Sequence, residues 1–189
     1  SFLEKMYENN KESHVLLIVP ASLLGNWSKE IDKFAPRMTY HILHGKTNIL
    51  DEDCFATITT YGMALRMECL QERVWDCLIL DEAQAIKNPA TKQTRAIKKI
   101  PSKMRIAMTG TPIENDLSNL WSLFDFLNKG LLGSATDFKN YTKKVQAYPE
   151  YMSKLKMMVS PFILRRLKTD KSIISDLPDK MEITEHVDL

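Results

Sequence analysis

The chain is short of cysteine, of long apolar runs and of net charge, and each shortage removes a class of protein. Three cysteines (Cys54, Cys69, Cys77) in 189 residues form no CxxC pair and are odd in number, which argues against a disulfide-framed scaffold. They read as reduced thiols in a reducing compartment, with a structural zinc site as the alternative. The longest apolar stretches, such as VLLIVPASLL, fall far short of the ~20 residues needed to span a bilayer. No charged-then-apolar leader opens the sequence, so a cytoplasmic protein is expected. What remains is ordinary for a globular protein: 44% hydrophobic and 26% charged residues, in a chain long enough for one sizeable core or a core plus a smaller appendage.

The net charge of +2 hides an uneven distribution. Residues 139–171 hold nine Lys or Arg against two acids, Glu150 and Asp170, so this segment is +7 and the remainder −5. Such asymmetry points to a polyanion partner for one end of the molecule, and a solvated lysine-rich helical surface is the plainer reading.

Four β-rich runs recur between helical patterns: VLLIVP (15–20), ATITTY (56–61), CLILDE (77–82) and RIAMTG (105–110), with a weaker one at TYHILH (39–44). They lack strict alternation, which suits strands buried on both faces of a parallel sheet. Leu23, Trp27, Ile31 and Phe34 repeat at helical spacing, with Ser22 as N-cap and Pro36 as the stop. Further helices are expected over 63–74 and 90–100. Alternating strands and helices predict a doubly wound α/β layer. After Pro112 the pattern is helical: Leu117, Leu120, Trp121, Phe124 and Leu127 mark an amphipathic helix ending near Gly130, and 136–147 and 150–160 continue it. The closing KMEITEHVDL alternates as a strand does.

Asp81 and Glu82 stand side by side after the run CLIL, where two like charges repel. In open α/β sheets ligands bind beyond the carboxyl ends of the strands, and Thr109-Gly110-Thr111-Pro112 sits at another such end. A strand ending in two acids suits a nucleotide triphosphatase, in which one carboxylate helps hold Mg²⁺ and the next polarises the attacking water. A pair of solvated strand-end acids is the competing interpretation.

The ordered set LLIVPASLLGNW, TTYG, DEAQAIKN, MTGTPIEN, LWSLFDFL, PFILRRLKTD and LPDKME resembles the Swi/Snf family of helicase-like, DNA-translocating ATPases, within superfamily two. The resemblance covers essentially the whole chain. DEAQAIKN and TGTPIEN look more like the bacterial and archaeal branch than the eukaryotic remodellers. The resemblance implies a RecA-like (P-loop NTPase-type), mostly parallel sheet with flanking helices and a helical protrusion. Residues 1–117 would be part of the first ATPase lobe, 118–178 the basic protrusion, and 179–189 the start of the strand leading to the second lobe. It implies ATP and Mg²⁺ as ligands, with double-stranded DNA, the second RecA-like lobe and a DNA-bound protein as partners. A bacterial protein of this kind would be nucleoid-associated. Mg-ATP hydrolysis would drive movement on DNA or remodelling of DNA–protein complexes.

In that reading DEAQ is the Walker B motif: Asp81 serves Mg²⁺ (through water), Glu82 is the general base and Gln84 couples. Thr109, Gly110 and Thr111 link the nucleotide site to DNA. Ser22, Asn26, Thr59, Thr60 and Tyr61 belong to motifs that grip one DNA strand, and the polar groups of Ser22, Asn26, Thr59 and Thr60 suit phosphate. Trp27 lies on the apolar stripe with Ile31, so core packing competes with base stacking. Tyr61 is equally open. Arg165 and Arg166 can clamp phosphate or pair with Asp170 and Asp176.

The phosphate loop of such motors, G-x-x-x-x-G-K-[ST], does not occur in this chain. The GK-T at Gly45-Lys46-Thr47 is a decoy, because the first glycine would fall on Tyr40. The chain therefore reads as part of a motor's first lobe, inactive in isolation. The alternative is a non-catalytic nucleic-acid-binding module with a degenerate RecA-like fold. A DEAD-box RNA helicase fits less well, because its motif after Walker B is SAT and not the TGT found here.

Overall fold

Val15–Val19 is five consecutive apolar residues, and all five are buried. In the computed structural model, which describes residues 2–45, 49–110 and 117–165, this run is β1, the centre of an all-parallel sheet. The other strands are β2 (Tyr40–Leu43), β3 (Ala56–Thr60), β4 (Trp75–Leu80) and β5 (Ser102–Ala107), in the order β2-β3-β1-β4-β5. Side chains alternate across a strand, so β1 feeds two cores. Leu16 and Ile18 join Leu43, Leu70, Leu78, Leu80 and Phe126 on one face. Val15, Leu17 and Val19 join Leu24, Ile31, Met38, Ile58 and Ile79 on the other. Burial on both faces explains why the strand reads as an unbroken apolar run.

The helices are α1 (Phe2–Asn9), α2 (Leu24–Phe34), α3 (Tyr61–Arg66), α4 (Cys69–Glu72), α5 (Lys92–Lys99), α6 (Leu117–Leu127), α7 (Ala135–Ala147) and α8 (Pro149–Val159). Leu3, Met6 and Tyr7 of α1 and Ile31 of α2 pack on one core, while Ile97 of α5 and Leu123 and Phe126 of α6 pack on the other. The expected helix over 63–74 is two short ones, broken at Met67, whose backbone is extended. Ser22 does not cap α2. After Pro20 the chain makes a 3₁₀ turn over Ala21–Leu23, which leaves Leu23 at the N-cap position without a side-chain hydrogen bond. The strand expected at 105–110 lies three residues earlier, because pairing with β4 runs from Trp75↔Ser102 to Leu80↔Ala107.

Polar ties fix α6 to α5, to β5 and to the turn after β4. Lys98 Nζ donates to Asp125 Oδ2 at 2.8 Å and to Ser122 Oγ at 3.2 Å, and Ser122 Oγ donates to the Ile86 carbonyl at 2.6 Å. Arg105 Nη1 donates to the Phe126 carbonyl at 2.8 Å and Nη2 to that of Ile100 at 2.9 Å, closing off helix-end acceptors. Burial pulls this guanidinium's pKa down and Asp125 pushes it back up, the net effect being a lowering from its ordinary value.

The chain divides into two compact units, Ser1–Thr142 and Lys143–Leu189. In the second, Pro149 opens α8 at a position where its missing N–H costs nothing. Leu155 and Val159 are buried, and Lys154 Nζ stands 5.3 Å from the Tyr151 ring centroid. The strand expected at 180–189 lies outside the described residues. Among the described residues no helix is long and apolar enough to cross a membrane.

Candidate active site

β4 delivers Asp81 beyond its carboxyl end, where the Asp81 N–H still donates to the Ile18 carbonyl of β1 at 2.9 Å. Both carboxylate oxygens then take a partner. Oδ1 accepts the Glu82 N–H at 2.9 Å, and Oδ2 accepts Trp27 Nε1–H from α2 at 2.7 Å. The Asp81 carbonyl accepts the Tyr61 hydroxyl at 2.7 Å. Burial first, and the charges of Asp81 and Glu82 next, push the Tyr61 phenol well above its ordinary pKa, so it stays a donor.

Glu82 has φ 50° and ψ 53°, the only non-glycine positive φ among the described residues. A left-handed residue with a Cβ costs roughly 1–2 kcal/mol, and such strain gathers at functional sites. The surrounding bonds hold it: the Ala83 N–H donates to the Met108 carbonyl at 2.8 Å, and the Met108 N–H to that of Leu80 at 2.8 Å. The consequence is that the two adjacent acids engage different partners. Asp81 is tied to α2, whereas Glu82 Oε2 accepts Gln84 Nε2 at 2.6 Å. Gln84 Oε1 in turn accepts Thr109 Oγ1 from the turn after β5 at 3.0 Å. The carboxylate fixes which end of the Gln84 amide faces it, since only the nitrogen donates.

The other expected site residues separate into two groups. Ser22 and Asn26 are exposed, in the 3₁₀ turn and the first turn of α2, and Gly110 is exposed beyond β5. Thr59, Thr60 and Tyr61 are buried. Thr59 Oγ1 donates to the Leu43 carbonyl at 2.8 Å, and Thr60 Oγ1 accepts the Met63 N–H at 3.3 Å as the N-cap of α3. Thr59 and Tyr61 thus both donate their hydroxyl hydrogens inside the fold. Arg165 is exposed in the second unit. Thr111 and Arg166 lie outside the described residues.

This constellation, at the carboxyl ends of β1, β4 and β5 in a parallel sheet, is where open α/β sheets bind ligands. The whole chain, residues 1–189, matches the family described as the SNF2-related domain. The chain belongs to that family. This SNF2-related domain is 45% identical to the Sulfolobus solfataricus SWI2/SNF2 ATPase core solved in complex with dsDNA, with a TM-score of 0.87 over 96% of this chain and 39% of that one. It is 38% identical over 199 residues to YwqA of Bacillus subtilis (strain 168), named as an ATP-dependent helicase/translocase, covering 100% of this chain and 22% of that protein. It is 35% identical over 199 residues to the human DNA excision repair protein ERCC-6-like, covering 90% of this chain and 16% of that protein. The chain thus spans 22% and 16% of the length of these curated relatives. Its fold is that of the SWI2/SNF2 ATPase core, a RecA-like sheet with flanking helices.

The donor set of this SNF2-related domain suits a hard divalent cation shared with a ligand. Among the described residues no three His, Cys, Asp or Glu side chains gather as a metal cage. Mg²⁺ is held by one or two carboxylates, waters and substrate phosphates rather than by an all-protein cage, and a carboxylate such as Asp81, with lone pairs left over from its two hydrogen bonds, fits that kind of site. Trp27 packs its ring on the core of α1 and α2, as its place on the apolar stripe implied, and one contact escaped the sequence: its N–H reaches Asp81. Helical periodicity places the ring and is blind to the N–H edge.

Proposed function

We propose that this SNF2-related domain forms part of the first ATPase lobe of a DNA-translocating motor, hydrolysing Mg-ATP at the carboxyl ends of β1, β4 and β5. The observation that carries the reading is the bonded chain Glu82–Gln84–Thr109 beside an independently anchored Asp81. Mg²⁺, when bound, neutralises the phosphate oxygens that gain charge as the terminal phosphoryl group transfers. Asp81 would hold that cation, through water, with the lone pairs its two hydrogen bonds leave unused. Glu82 orients the attacking water and takes its proton as the bond to the terminal phosphorus forms and the bridging P–O bond breaks. Gln84 ties that carboxylate to Thr109, so a change at the turn after β5 reaches the base directly.

The exposed Ser22 and Asn26 at the start of α2 contact DNA phosphates, and the basic stretch 139–171, with Arg165 and Arg166, adds positive field along the duplex. Thr59, Thr60 and Tyr61 serve the framework of the site. The names of relatives support this assignment, one being an ATP-dependent helicase/translocase and one an ATPase core solved on dsDNA. A second RecA-like lobe closes the site from the other side, and a DNA-bound protein is the load. The test is turnover by the full-length protein carrying this chain: Mg²⁺-dependent, raised by duplex DNA and abolished by Glu82→Gln.

A further inference from the structure

Trp27 follows Asn26 directly on α2, the helix that follows the turn holding Ser22, and its Nε1–H donates to Asp81 Oδ2 at 2.7 Å across 54 residues of sequence. An indole N–H is a donor only. It therefore cannot compete for a cation, and its one chemical act here is to hold a carboxylate oxygen. The other oxygen is held by the Glu82 N–H at 2.9 Å, so the two bonds together fix the carboxylate plane. A carboxylate offers about four lone-pair sites. Two remain, in a direction these bonds set.

The ring lines an apolar groove of about 460 Å³ with Phe2, Leu3, Ile31, Ile79 and Met108, between α1, α2 and the sheet. A tryptophan present only for packing does not need a charged partner, and burying an N–H costs free energy unless it is bonded.

We propose that Trp27 is a positioning residue for the cation site: its indole N–H holds the Asp81 carboxylate in the orientation that receives Mg²⁺. The proposal rests on the assignment of Asp81 to the cation made under Proposed function. The same bond joins the Asp81 carboxylate to the helix that carries Asn26 and follows directly on the turn holding Ser22. A hydrogen bond to a charged group that keeps it aligned is worth enough to move a binding midpoint several-fold.

The experiment uses the full-length protein and measures the Mg²⁺ concentration needed for half-maximal binding of a fluorescent non-hydrolysable ATP analogue, alongside the melting temperature. Three variants are compared: Trp27→Phe, position 27 replaced by β-(3-benzothienyl)alanine, and Asp81→Asn. The benzothienyl side chain keeps the indole shape and deletes only the N–H, so it decides the matter if Trp27→Phe lowers the melting temperature. The expected result is a Mg²⁺ midpoint raised roughly three- to tenfold by the benzothienyl substitution, at unchanged melting temperature, with a larger rise for Asp81→Asn. A raised midpoint for Asp81→Asn with none for the benzothienyl variant overturns the role of Trp27 and leaves the cation assignment standing. No change in either overturns the cation assignment and this proposal with it.

Discussion

Gln84 Oε1 accepts a hydrogen bond from Thr109 Oγ1 at 3.0 Å, joining the turn after β4 to the turn after β5. The same side chain donates to Glu82 at 2.6 Å, so Gln84 is the middle member of a three-residue chain and touches both ends. If the chain acts as a unit, breaking it once is breaking it altogether. Gln84→Ala and Thr109→Val in the full-length protein should each lower DNA-stimulated turnover about tenfold, the size of one hydrogen bond of about 1.4 kcal/mol. The double variant should be no worse than either single one. Turnover measured across the double-mutant cycle should give a coupling of about 0.5–3 kcal/mol, and strictly additive losses would contradict the linkage.

The amino end of the sheet carries a pH-dependent tie. Asp76 Oδ2 accepts the His14 N–H at 2.8 Å, and Oδ1 accepts Lys103 Nζ at 2.7 Å. Burial works to raise the Asp76 pKa, but the Lys103 and His14 hydrogen bonds outweigh it, and the net shift is downward. A carboxylate depressed on folding stabilises the fold above its unfolded pKa of about 3.9 and loses that contribution as pH falls through the lower folded value. Lys103 is well exposed, so the expected size is about 1 kcal/mol or less. Asp76→Asn should therefore melt earlier than wild type at pH 7, and the gap should close as the melts are repeated down to about pH 3. A gap independent of pH would show that charge is not the cause.

The basic stretch makes a different kind of prediction. Reversing Arg165 and Arg166 to Glu in the full-length protein should weaken duplex DNA binding about equally for all sequences. It should also flatten the slope of log affinity against log salt by roughly 0.9 for each phosphate that is no longer neutralised. Basal ATP turnover should be unchanged. A lower melting temperature with an unchanged salt slope would make these arginines internal struts instead.

What was legible in the sequence followed physical rules that need no tertiary information. Val15–Val19 and Cys77–Leu80 are buried throughout, and two-sided burial writes itself as an unbroken apolar run. Asp81 and Glu82 stood out because two adjacent acids after such a run repel each other and sit where open α/β sheets bind ligands. The register of β5 was not legible, since Met108 and Thr109 continue the apolar-polar look of RIAMTG although pairing ends at Ala107. Thr59 and Thr60 carry groups that suit phosphate, and composition does not say which way a side chain points. In the fold Thr59 turns to the Leu43 carbonyl and Tyr61 to that of Asp81. The left-handed Glu82 was equally invisible, because the strain is imposed by bonds between β4, β5 and the turn rather than by local sequence.

The most direct test of the account is the turnover of Glu82→Gln in the full-length protein, measured with ATP affinity at saturating Mg²⁺ and duplex DNA. The substitution keeps the shape of the side chain and an oxygen to accept from Gln84, and removes only the capacity to take a proton. The account predicts turnover reduced roughly 10²- to 10⁴-fold with ATP binding and DNA binding retained. Turnover equal to wild type would contradict it, and the absence of ATP hydrolysis from the wild-type protein itself would favour a non-catalytic nucleic-acid-binding module on the same fold.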